Sequence, residues 1–109
     1  VRRAFNLTEL VHGSKKTRVA MAGVMQVSEA LELYSGDLLG LAVADTLDGK
    51  RQDDSYPDLL ESIRLHGVQR PILVRRGELM DGHHRVAACL DLGITQVPFT
   101  DDFAIGWDR

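Results

Sequence analysis

A chain of 109 residues, 44% hydrophobic and 27% charged, is long enough for one domain with a modest core and too apolar to be disordered throughout. Its formal charge of −3 does not indicate a general polyanion-binding surface, so any nucleic-acid contact would have to come from a local basic patch. The single cysteine, Cys89, excludes an intrachain disulfide and a zinc site built mainly of thiolates; with no apolar run of membrane-spanning length, a cytoplasmic protein is expected.

In chain order, RAFNLTEL reads as a strand running into a turn, and the basic run Lys15, Lys16, Arg18 follows. Between residues 17 and 34, Ala20, Val24, Val27, Leu31 and Tyr34 step by three and four, which predicts a helix despite Gly23. Ser35-Gly36-Asp37 is a break. Leu39, Val43 and Leu47 predict a second short helix ending near Gly49, and GKRQDD a charged loop. SYPDLLESIRLHG predicts a helix. Pro57 suits its first position, Asp58 and Glu61 its positive end, and Gly67 its stop, while Tyr56, Leu59, Leu60 and Ile63 share a face.

QRPILVRR predicts a strand beginning at Pro71, with Arg75 and Arg76 on opposite faces. Gly77 turns the chain, and Leu79-Met80 returns as a short second strand. HHRVAACLDLG predicts a helix closed by Gly93, with Cys89 an inert thiol on its buried face beside Val86 and Leu90. TQVPF predicts a last strand. The alternation predicts one α+β (α/β) domain over 1–109, a small mixed sheet with a β-hairpin, flanked by helices. Residues 15–50 are expected as a helical elaboration, and 100–109 as an acidic tail in which Trp107 anchors to the domain.

The chemistry gathers where the hairpin meets the last helix, at Asp81-Gly82-His83-His84-Arg85. The first N–H groups of a helix lack intrahelical partners and carry partial positive charge, so an anion is stabilised there. Gly82 lets the backbone pass closely, Arg85 offers a planar fork of donors for phosphate oxygens, and His83 and His84 can donate hydrogen bonds or move protons. The bland alternative is a glycine turn with Asp81 capping the helix and one histidine buried as a hydrogen-bonded core residue. A metal is the less favoured reading, because adjacent histidines project about 100° apart on a helix. Lys15, Lys16 and Arg18 fit a solvated loop, the commoner use of such a run, or a second phosphate contact. Glu9, Glu29 and Glu61 are general-base candidates that nothing distinguishes, and His12 or His66 could come near in space.

Residues 59–99, LLESIRLHGVQRPILVRRGELMDGHHRVAACLDLGITQVPF, resemble the core of the ParB/sulfiredoxin superfamily. The shared order is a helix ending Ser-Ile-x-x-x-Gly, a Pro-Ile-x-Val strand, a hairpin, Asp-Gly-His-His-Arg, a helix ending Leu-Gly, and a Val-Pro strand. FNLTEL also resembles the family's opening strand. The resemblance implies a small mixed sheet flanked by helices and a nucleotide phosphate at Gly82, His83, His84 and Arg85. In relatives that turn takes CTP (partition proteins), ATP (sulfiredoxins) or ADP (free-serine kinases).

The departures narrow the expectation. Sulfiredoxins need a cysteine where this chain has His83, so sulfinic-acid reduction is not expected. Partition proteins carry Glu-Arg-Arg after the glycine, with further DNA-binding and dimerisation modules, so a sliding-clamp role is not expected. A short stand-alone ParB-like domain remains, of a kind common in bacteriophage and mobile-element genomes.

Three functions are therefore open. The first is binding of a nucleotide (ATP, ADP or CTP, with or without Mg²⁺) or a nucleic-acid phosphate, with His83, His84 and Asp81 as acid–base groups for phosphoryl transfer or hydrolysis. The second is a DNA nuclease. The third is a non-enzymatic phage or accessory protein that binds a host protein, with 15–50 as its contact surface.

Overall fold

The computed structural model describes residues Ala4–Phe5 and 21–102. The expectations for Glu9, His12, Lys15, Lys16, Arg18 and Trp107 lie outside these residues. The described chain is α+β: a six-stranded mixed sheet with helices packed against it. Its elements are β1 (Ala4–Phe5), β2 (Ala22–Gln26), α1 (Val27–Leu31), β3 (Tyr34–Ser35), a 3₁₀ turn (Val43–Thr46), α2 (Leu47–Arg51), α3 (Tyr56–His66), β4 (Ile72–Arg75), β5 (Glu78–Asp81), α4 (His83–Leu92) and β6 (Gln96–Thr100). Strand order across the sheet is β1-β2-β6-β4-β5-β3.

β6 lies inside the sheet, antiparallel to β2 and parallel to β4. Its Val97 and Phe99 are buried against the helices, which is why a short, mostly apolar run suffices there. β4 and β5 form the expected antiparallel hairpin. Arg76 and Gly77 both take positive φ, 54° and 81°, the pairing that a two-residue hairpin turn needs to match strand twist. Arg76 therefore sits in the turn, and the expectation that it alternates with Arg75 along a strand does not hold. α4 is the central helix. Val86, Ala87, Ala88 and Cys89 are fully buried, and the Cys89 thiol, pushed up to about 11 by burial, is the inert core group expected. Leu90, expected on that face, is instead half out in solvent.

The region 21–50 corrects the expected helical elaboration. Residues 22–26 form a strand, helix runs only from Val27 to Leu31, and β3 adds to the sheet's edge. Five residue pairs with β6 fix β2, a long-range partner that the three-and-four spacing cannot reveal. Leu39 lies in a loop rather than in a helix. Leu47 opens α2, which continues past Gly49 to Arg51.

α3 behaves as its signals indicate. Pro57 occupies the first turn, Gly67 closes the helix, and Tyr56 and Ile63 are buried, with Leu59 and Leu60 packed beside them. The Tyr56 hydroxyl donates to Asp91 of α4 at 2.6 Å, and Arg51 of α2 holds the same carboxylate through two nitrogens at 2.9 and 3.0 Å. Beside that carboxylate and in a half-dry setting, the phenol is pushed up to about 12, chiefly by burial. This clamp ties the end of α2, the start of α3 and the last turn of α4 together.

Candidate functional site

Asp81 ends β5, Gly82 turns the chain at φ 113°, and His83 begins α4. A Cβ on Gly82 would stand 2.7 Å from Ile72 Cγ2 and 3.2 Å from Ile72 Cα, so the turn lies directly on β4. No side chain caps the helix. Asp81, the expected cap, instead accepts from Arg85 Nη2 at 3.2 Å, one turn along. The first turn of α4 thus keeps the donor character of an open helix start.

The three polar side chains of the turn go separate ways. His83 is 3% exposed. Ser35 Oγ lies 2.9 Å from its Nε2 and accepts the amides of Asp37 (3.1 Å) and Leu38 (3.0 Å). With its acceptor capacity taken by those amides, the hydroxyl donates to Nε2, which puts the ring proton on Nδ1, facing Asp37 Oδ2 at 3.6 Å. Burial pushes the imidazole below its ordinary value, against a smaller opposing pull from Asp37, so the neutral tautomer is favoured. The Ser35–His83–Asp37 order resembles a hydrolase triad. Yet Ser35 is 1% exposed and its oxygen is occupied by two amides, so it braces the loop rather than attacking a substrate.

Arg85 is 14% exposed. Its Nη1 donates to the carbonyls of Pro71 (2.6 Å) and Arg70 (3.2 Å), so it braces the chain just ahead of β4. Its guanidinium lines a pocket of about 230 Å³ at the end of α3, with Ser62, Gly67 and Gln69. His84 faces elsewhere. It lines a cleft of about 380 Å³ with Leu38, Thr46, Gly49, Lys50, Gln52 and Asp53. Its Nε2 lies 3.2 Å from Asp53 Oδ2, and Lys50 Nζ donates to Asp37 at 2.7 Å. Lys50 is the first cause holding the Asp37 carboxyl below the usual carboxylate range, with His83 a smaller one; at Asp53 the first cause is the Ser55 amide.

The structure therefore brings His84 to an open cleft and places His83 and Arg85 behind it. It also supplies Lys50, Asp37, Asp53 and Ser35, which sequence reasoning did not select. Their only local signal is the charged run GKRQDD and the break Ser35-Gly36-Asp37. The remaining base candidates sit apart: Glu29 accepts the Gln26 amide at the start of α1, and Glu61 pairs with Arg64. His66 lies in the last turn of α3. Among the described residues, no three His, Cys, Asp or Glu side chains converge to hold a metal ion. No helix among them is long and apolar enough to cross a membrane. The chain matches no protein-family profile, no curated protein and no solved structure.

Proposed function

We propose that this chain is a ParB-like domain that takes a nucleotide by its phosphates in the cleft at the first turn of α4. The observation that supports this most directly is that His84, in the first turn of the uncapped helix α4, lines an open cleft of about 380 Å³ together with Lys50. Lys50 and His84 both rest on partly exposed carboxylates, Asp37 and Asp53. Pairs of that kind contribute about 0–1 kcal/mol. A hydrogen bond to a charged group contributes about 1.5–3 kcal/mol, so a phosphate that meets Lys50, His84 and the helix amides together can displace them. Any Mg²⁺ would come in with the nucleotide. Gly82 supplies the close turn, while His83 and Arg85 position it from behind.

Calorimetry with ATP, ADP, CTP and inorganic phosphate tests the reading. The wild type is expected to bind at least one nucleotide, and Lys50→Ala to weaken it about tenfold or more. Arg85→Ala is expected to lower stability more than affinity. If none of the four ligands binds the wild type, the reading fails.

A second reading, phosphodiester hydrolysis, has one observation in its favour. His84 faces the cleft with Asp53 at its ring nitrogen, an acid–base arrangement suited to moving a proton at a phosphate. Nicking of plasmid DNA with Mg²⁺ that is lost in His84→Ala would support it; nicking that persists in that variant would count against it.

A further inference from the structure

Four of the eight large apolar side chains exposed on the described surface fall within eight consecutive residues: Tyr34 (64% exposed), Leu38 (47%), Leu39 (86%) and Leu41 (39%). Tyr34 begins β3 and the three leucines project from the loop that follows it. The loop is stiff. Ser35 N–H donates to Leu41 O at 2.8 Å, Val43 N–H to Leu33 O at 2.8 Å, Leu41 N–H to Leu38 O at 3.2 Å, and Gly36 N–H to Leu79 O at 2.9 Å. Inside it, Ser35 Oγ gathers the Asp37 and Leu38 amides and is itself tied to buried His83. An apolar cluster held out on a closed frame loses little conformational freedom when covered, which is how a preformed recognition surface is built.

Charge identifies what covers it. Residues 32–58, which carry the loop and the cleft rim, hold seven carboxylates against Lys50 and Arg51, a net of −5 in a chain whose total is −3. A two-fold contact with a second copy would set −5 against −5. A nucleic acid or an anionic bilayer laid over the loop would be repelled as well. We infer that loop 34–41 is a docking surface for a cationic amphipathic protein segment, one whose apolar row covers Leu38, Leu39 and Leu41 while flanking Lys or Arg side chains meet the acidic rim. Electrostatic attraction steers such a segment and sets its register, and the leucines hold it. Leu38 also borders the phosphate cleft, so the test rests on Leu39, which does not line it.

The test uses a synthetic 18-residue Leu/Lys peptide patterned as an amphipathic helix, and a same-composition peptide with that pattern scrambled. Binding is followed by fluorescence anisotropy and by amide shifts in a labelled domain. The patterned peptide is expected to bind at least about tenfold more tightly than the scrambled one, with shifts centred on 34–41. Leu39→Ser is expected to weaken it about fivefold or more without changing the melting temperature, because that side chain is 86% exposed and lies outside the phosphate cleft. Asp45→Lys is expected to weaken it and to flatten its salt dependence. Equal binding of the scrambled peptide, shifts elsewhere, or indifference to the leucine change would overturn the inference. So would self-association in sedimentation that disappears in the leucine variant, or capture by phosphatidylserine vesicles.

Discussion

At the scale of single residues, the Asp-Gly-His-His-Arg turn is mostly structural, with Gly82 and His83 buried and His84 facing the cleft. Gly82 is the strictest position in it. Its φ of 113° disfavours any side chain, and a Cβ would meet Ile72 within 2.7 Å, on a residue that is itself fully buried. Backbone strain of about 1–2 kcal/mol and overpacking of about 1–3 kcal/mol act together there. Gly82→Ala is therefore expected to destabilise the domain by about 3 kcal/mol, read as a lower urea midpoint at unchanged slope.

His83 gives the domain a pH dependence of known sign. Burial holds its folded pKa below the ordinary 6.5, with Asp37 and Asp81 pulling it up and Lys50 and His84 pushing it down. The unfolded chain then binds the proton more readily than the folded one. The stability that neutral His83 contributes is intact above 6.5 and is lost as pH falls through 6.5 towards the folded value. Melting temperature is expected to drop between about pH 7 and pH 5. His83→Gln, whatever its own cost, should flatten that slope. Asp37, held low first by Lys50, adds its loss only below its ordinary 3.8, so the two windows separate in a melting series.

At the scale of elements, the cleft is made by long-range pairing. β3 joins the sheet edge parallel to β5, which carries Ser35 to His83 across 48 positions of sequence. Ser35→Ala would leave two loop amides and His83 Nε2 without this partner, each at a cost of about 1–3 kcal/mol if it stays dry. The expected result is a loss of about 3 kcal/mol, with hydrogen exchange at the Asp37 and Leu38 amides accelerated well beyond the core.

The same geometry explains what could be read in the sequence. α3, the hairpin, α4 and β6 were legible because their signals are local: Pro57 and Gly67 around one apolar face, a turn at Gly77, and an apolar run into Gly93. β2 was not, because Ala22 and Gly23 carry no strand preference and Val24, Val27 and Leu31 happen to share helical spacing. Antiparallel pairing with β6 decides the matter, and no short window contains it. The candidate site divides likewise. The helix start and its histidines were visible in five residues, but nothing local says which histidine faces out. The partners that decide this arrive from elsewhere: Asp37 from the loop after β3, Lys50 from α2 and Asp53 from the loop after it.

At the scale of the whole molecule, the charge is segregated, and this bears on which phosphates can approach. The stretch 32–58 carries −5, so the rest of the chain carries +2. On the proposed reading, a mononucleotide would present its charge to Lys50 and His84 within one cleft. A polymer must in addition lay its flanking phosphates along a rim where Asp45, Asp48 and Asp54 are exposed. Each extra phosphate then adds repulsion in place of counterion release. A 20-nucleotide single strand is therefore expected to bind no more tightly than a mononucleotide with the same terminal phosphate. The logarithm of its affinity should fall against the logarithm of salt with a slope of about −1 or shallower, where a surface contacting six phosphates would show about −4. A titration at three salt concentrations distinguishes the two. A steep slope would place the contact on a basic surface away from this cleft, and a shallow one shared by both ligands would leave the α4 cleft as the seat of recognition.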